Sequence, residues 1–204
     1  MKELMRSVLV LIVMSLLTGV FYPLIVTGIS RAGFQRQAQG SLLRTGDKLV
    51  GSALVGQRFS SPHYFHGRPS AIEKAYDAGN SGGSNFGPSN AKFLEEVGRR
   101  VETVRKDNGL ERTASVPADL VLASASGLDP HITVEAAMIQ VKRVAKARGV
   151  PEPDVQVLVK RFTEMPLFGF LGEKRINVLR LNLALDELSR RQIQSGESNH
   201  TKRG

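Results

Sequence analysis

No charged residue interrupts the chain between Ser7 and Ser30, a run of 24 positions, and nothing after it repeats that composition. An uncharged apolar run of that length restricts the fold more than any other feature, because about 20 such residues make a bilayer-crossing helix. A helix from Val8 to Ile29 would be about 33 Å long, enough to span the hydrocarbon core with modest tilt. The sequence is therefore expected to divide into a short N-terminus over 1–7, a transmembrane helix over 8–30, a folded body over 31–195 and a disordered polar tail over 196–204.

A cleaved signal peptide is the competing reading, with Lys2 and Arg6 as its positive start. The apolar core of a signal spans ~7–15 residues and closes at a small-x-small site. Here the run continues through Phe21, Tyr22 and Ile25 to Ile29, and the small pair Gly28 and Ser30 is followed at once by Arg31. A retained anchor fits better. Its orientation does not follow from charge: Lys2 and Arg6 precede it, but Arg31, Arg36, Arg44 and Lys48 follow it, and long domains translocate largely regardless of charge. The chain has no cysteine, which suits either redox compartment.

With 23% charged and 41% hydrophobic residues, the part beyond the anchor has a globular composition rather than a disordered one. Its net charge is strongly positive, +9 for the whole chain. Nucleic acid is a poor match for that charge, because the basic residues are scattered, Trp is absent and no recognition motif for DNA or RNA is present. A basic body tethered at a bilayer suits headgroups or a negatively charged subunit.

Ser41 to Leu54 reads as a hairpin turning at Thr45-Gly46-Asp47-Lys48. Gln57 to Pro88 lacks periodicity and is rich in Gly, Ser, Asn and Pro, a gap long enough to be functional or partly disordered. Ser89 is placed as the N-cap of a helix with Phe93, Leu94, Val97, Val101 and Val104 along one face, stopped by Asn108-Gly109. Ala118 to Ser126 stays open between a short helix and a buried strand. Thr133 caps a helix to Arg148 with Val134, Met138, Val141 and Val144/Ala145 on one side, ended by Gly149 and Pro151. Another helix runs through Val155, Leu158, Val159 and Phe162, and Pro166 to Gly172 is an apolar loop. Asn177 opens a last helix through Val178, Leu181, Leu185 and Leu188. The fold class is α+β: one N-terminal transmembrane helix, then a helix-rich domain with a small β component.

Catalytic machinery is hard to find. There is no G-x-x-x-x-G-K-[ST] phosphate loop and no protein-kinase motif set. Asp47-Lys48 is followed by Leu49, so it is not the Asp-Lys-Thr-Gly segment that P-type ATPases phosphorylate. His63 and His66 stand three apart without the further ligands that zinc requires, so loop packing is the better reading and no metal site is assigned. Asp129, His131 and Ser124 or Ser126 contain the residue types of a nucleophilic triad, but neither serine sits in a G-x-S-x-G elbow. Helix entry, with Asp129 or Thr133 capping, fits these residues better. A membrane-anchored serine hydrolase and a stand-alone binding module remain the alternatives from other function classes.

The glycine-rich stretch from Gly79 to Asn90 lacks the lysine and preceding apolar strand of a phosphate cradle. Close backbone packing against a partner suits it better, with Gly82 and Gly83 permitting approach and Asn85 supplying hydrogen bonds. Within the membrane, Ser15 and Gly19 form a small-xxx-small pair. Pro23 cannot donate to the Gly19 carbonyl, which must bond elsewhere or let the helix kink. Together these three residues favour a subunit contact over a bare lipid anchor.

Several segments in order resemble one family, the C subunit of the Kdp-type potassium-transporting ATPase. They are Leu17-Thr-Gly-Val-Phe-Tyr-Pro-Leu-Ile-Val-Thr-Gly28, Gly67-Arg-Pro-Ser70, and Ser81-Gly-Gly-Ser-Asn-Phe-Gly-Pro-Ser-Asn90. Further along stand Ala123-Ser-Ala-Ser-Gly-Leu-Asp-Pro-His-Ile132, Arg143-Val-Ala-Lys-Ala-Arg-Gly149, Gly169-Phe-Leu-Gly-Glu173 and Asn177-Val-Leu-Arg-Leu-Asn-Leu-Ala-Leu-Asp186. Departures are local: His66 replaces a usual aromatic, Lys142 a common proline, and Glu73 to Asn80 is variable.

The resemblance implies a subunit without catalysis of its own in an ATP-driven potassium uptake complex of the bacterial inner membrane. Its partners would be a channel-like potassium-translocating subunit, a P-type ATP-hydrolysing subunit and a small F subunit, so ATP and K⁺ are handled through the complex. The N-terminus would be cytoplasmic and the large domain outside. The subunit would serve assembly and activity, and would act as a catalytic chaperone raising the nucleotide affinity of the ATP-hydrolysing subunit. Expected contacts are Ser15, Gly19 and Pro23 in the membrane, and Gly82, Gly83, Asn85, Ser126, Asp129 and His131 on the domain. Any direct nucleotide contact is expected at Gln140 or on the basic face of its helix.

Overall fold

The computed structural model describes residues 1–72 and 74–201, with side chains described as far as Arg191. It is an α+β protein whose chain separates into two compact units, Met1–Ser52 and Ala53–Gly204.

The first unit begins with helical residues Lys2–Gly33, long and apolar enough to cross a membrane and with none of its most apolar stretch buried. The helix extends beyond the expected 8–30 at both ends, since Lys2 to Ser7 continue its backbone hydrogen bonding. It comprises α1 (Lys2–Leu16), a π turn (Leu17–Phe21) and α2 (Tyr22–Gly33). Pro23 explains the interruption. Without an N–H at residue 23 the regular ladder loses a bond, and the wider turn instead lets the Tyr22 N–H donate to the Leu17 carbonyl. Such π bulges are a recognised way to absorb a break without ending a helix.

A one-turn helix α3 (Gln35–Ala38) leads into β1 (Leu42–Thr45) and β2 (Lys48–Ser52), paired antiparallel. Gly46, at φ 58°, takes the first central position of their two-residue turn, where glycine matches the strand twist. The Ser52 hydroxyl donates to the Gly40 carbonyl at 2.6 Å, tying the hairpin ends.

Among the described residues of the second unit, no regular element occurs before α4 (Ala91–Asn108). Asn90, not Ser89, is its N-cap: Asn90 is extended and its Oδ1 accepts from the Phe93 N–H at 3.1 Å. Gly109 closes the helix in the left-handed region at φ 64°. Of the expected stripe, Phe93, Val97, Val101 and Val104 are half-buried, whereas Leu94 is exposed. Ala118–Leu120 forms a single 3-10 turn, and the chain then bends irregularly to β3 (His131–Ile132).

Helices α5 (Val134–Arg148) and α6 (Glu152–Arg161) pack together, followed by β4 (Thr163–Glu164), β5 (Arg175–Asn177) and α7 (Val178–Thr201). Thr133 caps α5 by accepting from the Ala136 N–H, and Gly149 ends it at φ 66°. The three short strands form an antiparallel sheet in the order β3-β5-β4. Ala136, Val141, Val144, Val155, Leu181 and Leu185 meet Phe65 and the sheet residues Ile132 and Ile176 in one core. Helix α7 continues as far as Thr201, into the stretch expected as a tail; residues 202–204 lie outside the described residues.

Candidate functional site

Residues 79–90 and 124–131 are brought together by the close backbone approach that glycine permits. The Gly82 N–H and the Ser81 hydroxyl both donate to the Ser126 carbonyl at 3.0 Å. A Cβ on Gly83 would lie 3.0 Å from the Ala125 carbonyl oxygen, and one on Gly127 would lie 2.8 Å from that of Gly82. The approach that these glycines serve is thus to the chain's own 125–127 segment. Ser84 to Ser89, Ala125 and Ser126 remain exposed on the outer side. Asn85 holds a left-handed backbone at φ 54°, a conformation that asparagine tolerates better than most residues.

Asp129 organises the inner side. Its Oδ1 accepts from the His131 backbone N–H at 2.9 Å and lies 3.4 Å from His131 Nδ1, while Arg68 donates to Oδ2 at 3.2 Å. Burial pushes the Asp129 carboxyl up, but the two His131 hydrogen bonds and the Arg68 charge outweigh it and hold the group below its ordinary value. The other side of the His131 ring lies 4.0 Å from Glu164, which also accepts from Arg175 and Arg180. The two serines turn elsewhere. Ser126 Oγ accepts from the Leu128 N–H at 3.2 Å and lies 3.5 Å from Ser124 Oγ. No hydrogen bond joins either hydroxyl to His131 among the described residues, so a nucleophile–base pair is not assembled. Nor do the described residues contain a group of three His, Cys, Asp or Glu able to hold a metal.

Gln140 is almost wholly buried and its amide is fully occupied. Nε2 donates to the carbonyls of His66 and Ala136, while Oε1 accepts from the His66 N–H and from Arg143 Nη2. Asn182 does the same one residue earlier, bonding the Phe65 N–H and carbonyl at 2.9 Å each. Arg143 also donates to the carbonyls of Pro62 and Tyr64, and Arg148 to that of His63. Arg148 further pairs with Asp186 at 2.7 Å and stacks 4.7 Å over the Tyr64 ring. Residues 62–66, which carry no periodic pattern, are therefore fixed by amides and guanidinium groups from α5 and α7. His66 serves packing: its Nε2 lies 3.0 Å from the Ser61 carbonyl, and burial with the Arg143 charge lowers its pKa.

Beside Gln140 lies a cavity of about 440 Å³, lined among others by His66, Arg68, Tyr76, Asp107 and Asn108. Tyr76 spans its rim. Its hydroxyl donates to the Arg68 carbonyl, and its pKa is pushed up to about 12 by burial and by Asp129, against Arg68. Sequence reasoning missed Tyr76 and also Gly56, whose backbone passes under the Tyr76 ring; glycine lies within Gln57's neighbourhood of turn residues, but nothing local marks it out.

In the membrane helix, Ser15 lies on α1, Gly19 within the π turn and Pro23 in the first turn of α2. A Cβ added at Gly19 would meet nothing within 4 Å, which leaves an open notch on the helix surface.

A family model described as KdpC, K⁺-transporting ATPase, c chain, matches residues 4–187. The chain is 54% identical over 184 residues to a potassium-transporting ATPase KdpC subunit of Methylococcus capsulatus, covering 89% of this chain and 96% of the relative. It is 53% identical over 190 residues to that of Geobacter sulfurreducens, covering 92% and 99%. A third, from Geotalea uraniireducens, is 52% identical over 192 residues, covering 93% and 100%.

Proposed function

The chain belongs to the KdpC family of K⁺-transporting ATPase c chains, and from that membership we propose that it is the accessory subunit that completes an ATP-driven potassium uptake complex. The observation that carries this reading is the match over residues 4–187, which takes in both the apolar helix and the folded unit. The partners are a channel-like potassium-translocating subunit, a P-type ATP-hydrolysing subunit and a small F subunit. The complex lies in the bacterial inner membrane, with the N-terminus cytoplasmic and the second unit outside.

In this proposal the helix packs on the channel-like subunit at its Ser15–Gly19–Pro23 face, where the open notch at Gly19 allows close backbone approach. The exposed stretch Ser84 to Ser89, with Ser126 beside it and Asp129 and His131 behind it, docks the domain on the same partner. The inner hydrogen bonds among Gly82, Ser126, Asp129 and His131 hold that surface in one shape before docking, which lowers the ordering cost of association.

The subunit raises the nucleotide affinity of the ATP-hydrolysing chain through the complex. A domain outside the membrane never meets cytoplasmic ATP, so its influence is a coupling free energy between two states of the assembly, not a shared pocket. The occupied amide of Gln140 supports this, since direct contact there would first break four internal hydrogen bonds.

Affinity purification of the tagged chain in mild detergent, with identification of the co-purifying proteins, tests the reading. Recovery of large channel and pump subunits in fixed proportion is the expected result. A chain that purifies alone from cells producing those subunits would overturn it.

A further inference from the structure

Between β4 and β5 the second unit projects a loop whose side chains over 165–171 are all apolar. Met165, Leu167, Phe168, Phe170 and Leu171 are each between 51% and 79% exposed, an unusual grouping for one short segment facing water. The loop is built, not slack. The N–H groups of Leu167 and Leu171 donate to each other's carbonyls, that of Gly169 to Pro166 and that of Phe170 to Leu167. Phe168 holds a left-handed backbone at φ 54° and Gly169 follows at φ 83°. At the loop's base Glu164 accepts from Arg175 and Arg180, so the rigid sheet carries it.

We propose that this loop inserts into the interface of a bilayer containing anionic lipid. Four observations select lipid over a protein pocket. Protein interfaces carry about one hydrogen bond per 100–200 Å², but this loop offers no polar side chain between Met165 and Leu171. Four of its backbone donors, those of Leu167, Gly169, Phe170 and Leu171, are instead spent internally, as an apolar medium without partners favours. The flanks are basic: Lys160 and Arg161 end α6, Lys174 closes the loop and Arg175 opens β5, against Glu164 and Glu173, which complements anionic headgroups. Finally, a chain with a helix fit to cross a bilayer keeps a membrane surface within reach. The inference needs only that helix and is independent of the subunit contacts proposed above.

The chain contains no Trp, so Phe168→Trp makes a single spectroscopic reporter. The full-length variant is reconstituted in vesicles of mixed phosphatidylglycerol and phosphatidylcholine, with and without acyl chains brominated near the headgroup. Blue-shifted emission, loss of emission on bromination and protection from acrylamide are expected. Adding Lys160→Glu and Lys174→Glu should reverse all three in part. Phe170→Trp provides the same readout should Trp at position 168 disturb the turn. Water-like emission untouched by bromine, in both reporters, overturns the proposal. So does shielding that arises only when the other subunits are added, without bromine quenching, which would assign the loop to a protein partner.

Discussion

The Gln140 side-chain amide closes both backbone hydrogen-bonding groups of His66, accepting from its N–H at 2.7 Å and donating to its carbonyl at 3.1 Å. One side chain thus substitutes for a strand partner and fixes a loop 74 residues away in sequence. Leucine at position 140 would fill similar volume but leave the His66 backbone N–H and carbonyl unpaired and remove one acceptor from Arg143. Gln140→Leu should lower stability by about 2–4 kcal/mol, since each buried polar group left unpaired costs about 1–3 kcal/mol. Urea unfolding reads this as a lower midpoint with unchanged slope. A midpoint equal to that of the parent would show that the amide does not hold the loop.

Two glycines should respond to alanine in opposite directions. At Gly56 a Cβ would stand 2.3 Å from the Tyr76 ring and 2.7 Å from the Asp129 carbonyl oxygen, so Gly56→Ala should cost at least about 1–3 kcal/mol through overpacking. Gly98 lies inside α4 with nothing within 4 Å, and Gly98→Ala should gain up to about 1 kcal/mol from helix propensity. Thermal unfolding of the two variants measures both signs.

Stability should plateau near neutral pH and fall on both sides. His66 has a lowered pKa in the fold, so the unfolded chain binds its proton more readily and stability declines as pH falls below the ordinary histidine value of about 6.5. Asp129, also lowered, contributes stability above its unfolded value of about 3.9 and loses it as pH falls through its lower folded value. Tyr76 is raised from 10.0 to about 12, so its contribution is complete below 10.0 and disappears as pH rises to about 12. Tyr76→Phe should flatten the alkaline limb of a plot of urea midpoint against pH and leave the acid limb intact.

Much of this architecture follows from local pattern. The uncharged run, the Gly46 turn and helices α4 to α7 announce themselves through periodicity and caps. Asn90 and Ser89 are both capable caps, and only backbone geometry selects Asn90. Residues 57–88 resist sequence reading because their order comes from afar: Gln140, Arg143, Arg148 and Asn182 bond backbone groups of residues 62–66 across more than 70 positions. The sheet is equally silent, since strands of two or three residues cannot alternate long enough to register. At the candidate site, glycine content signalled close approach but not that the neighbour is residues 125–127 of the same chain.

Serine chemistry should be absent. Ser124→Ala should leave potassium uptake by the complex unchanged, and Ser126→Ala should cost about 1 kcal/mol for the lost acceptor of the Leu128 N–H. A fluorophosphonate probe should label neither parent nor variant. Labelling abolished by Ser126→Ala would restore the hydrolase reading.

A strongly basic domain in the ion path would repel K⁺, so its exposed cations should face partner acids or headgroups. Reversing Arg99 and Lys106 on α4 to Glu should reduce recovery of assembled complex while the surviving complexes keep their potassium affinity. Changed affinity with normal assembly would contradict that orientation.

The central claim is that the remaining subunits depend on this chain for ATP-driven work. Potassium-stimulated ATP hydrolysis, measured across ATP concentrations on membranes lacking the chain and again after its restoration, tests it most directly. Restoration should recover activity and lower the ATP concentration needed for half-maximal rate. Equal rates and equal ATP dependence with and without the chain would contradict the account.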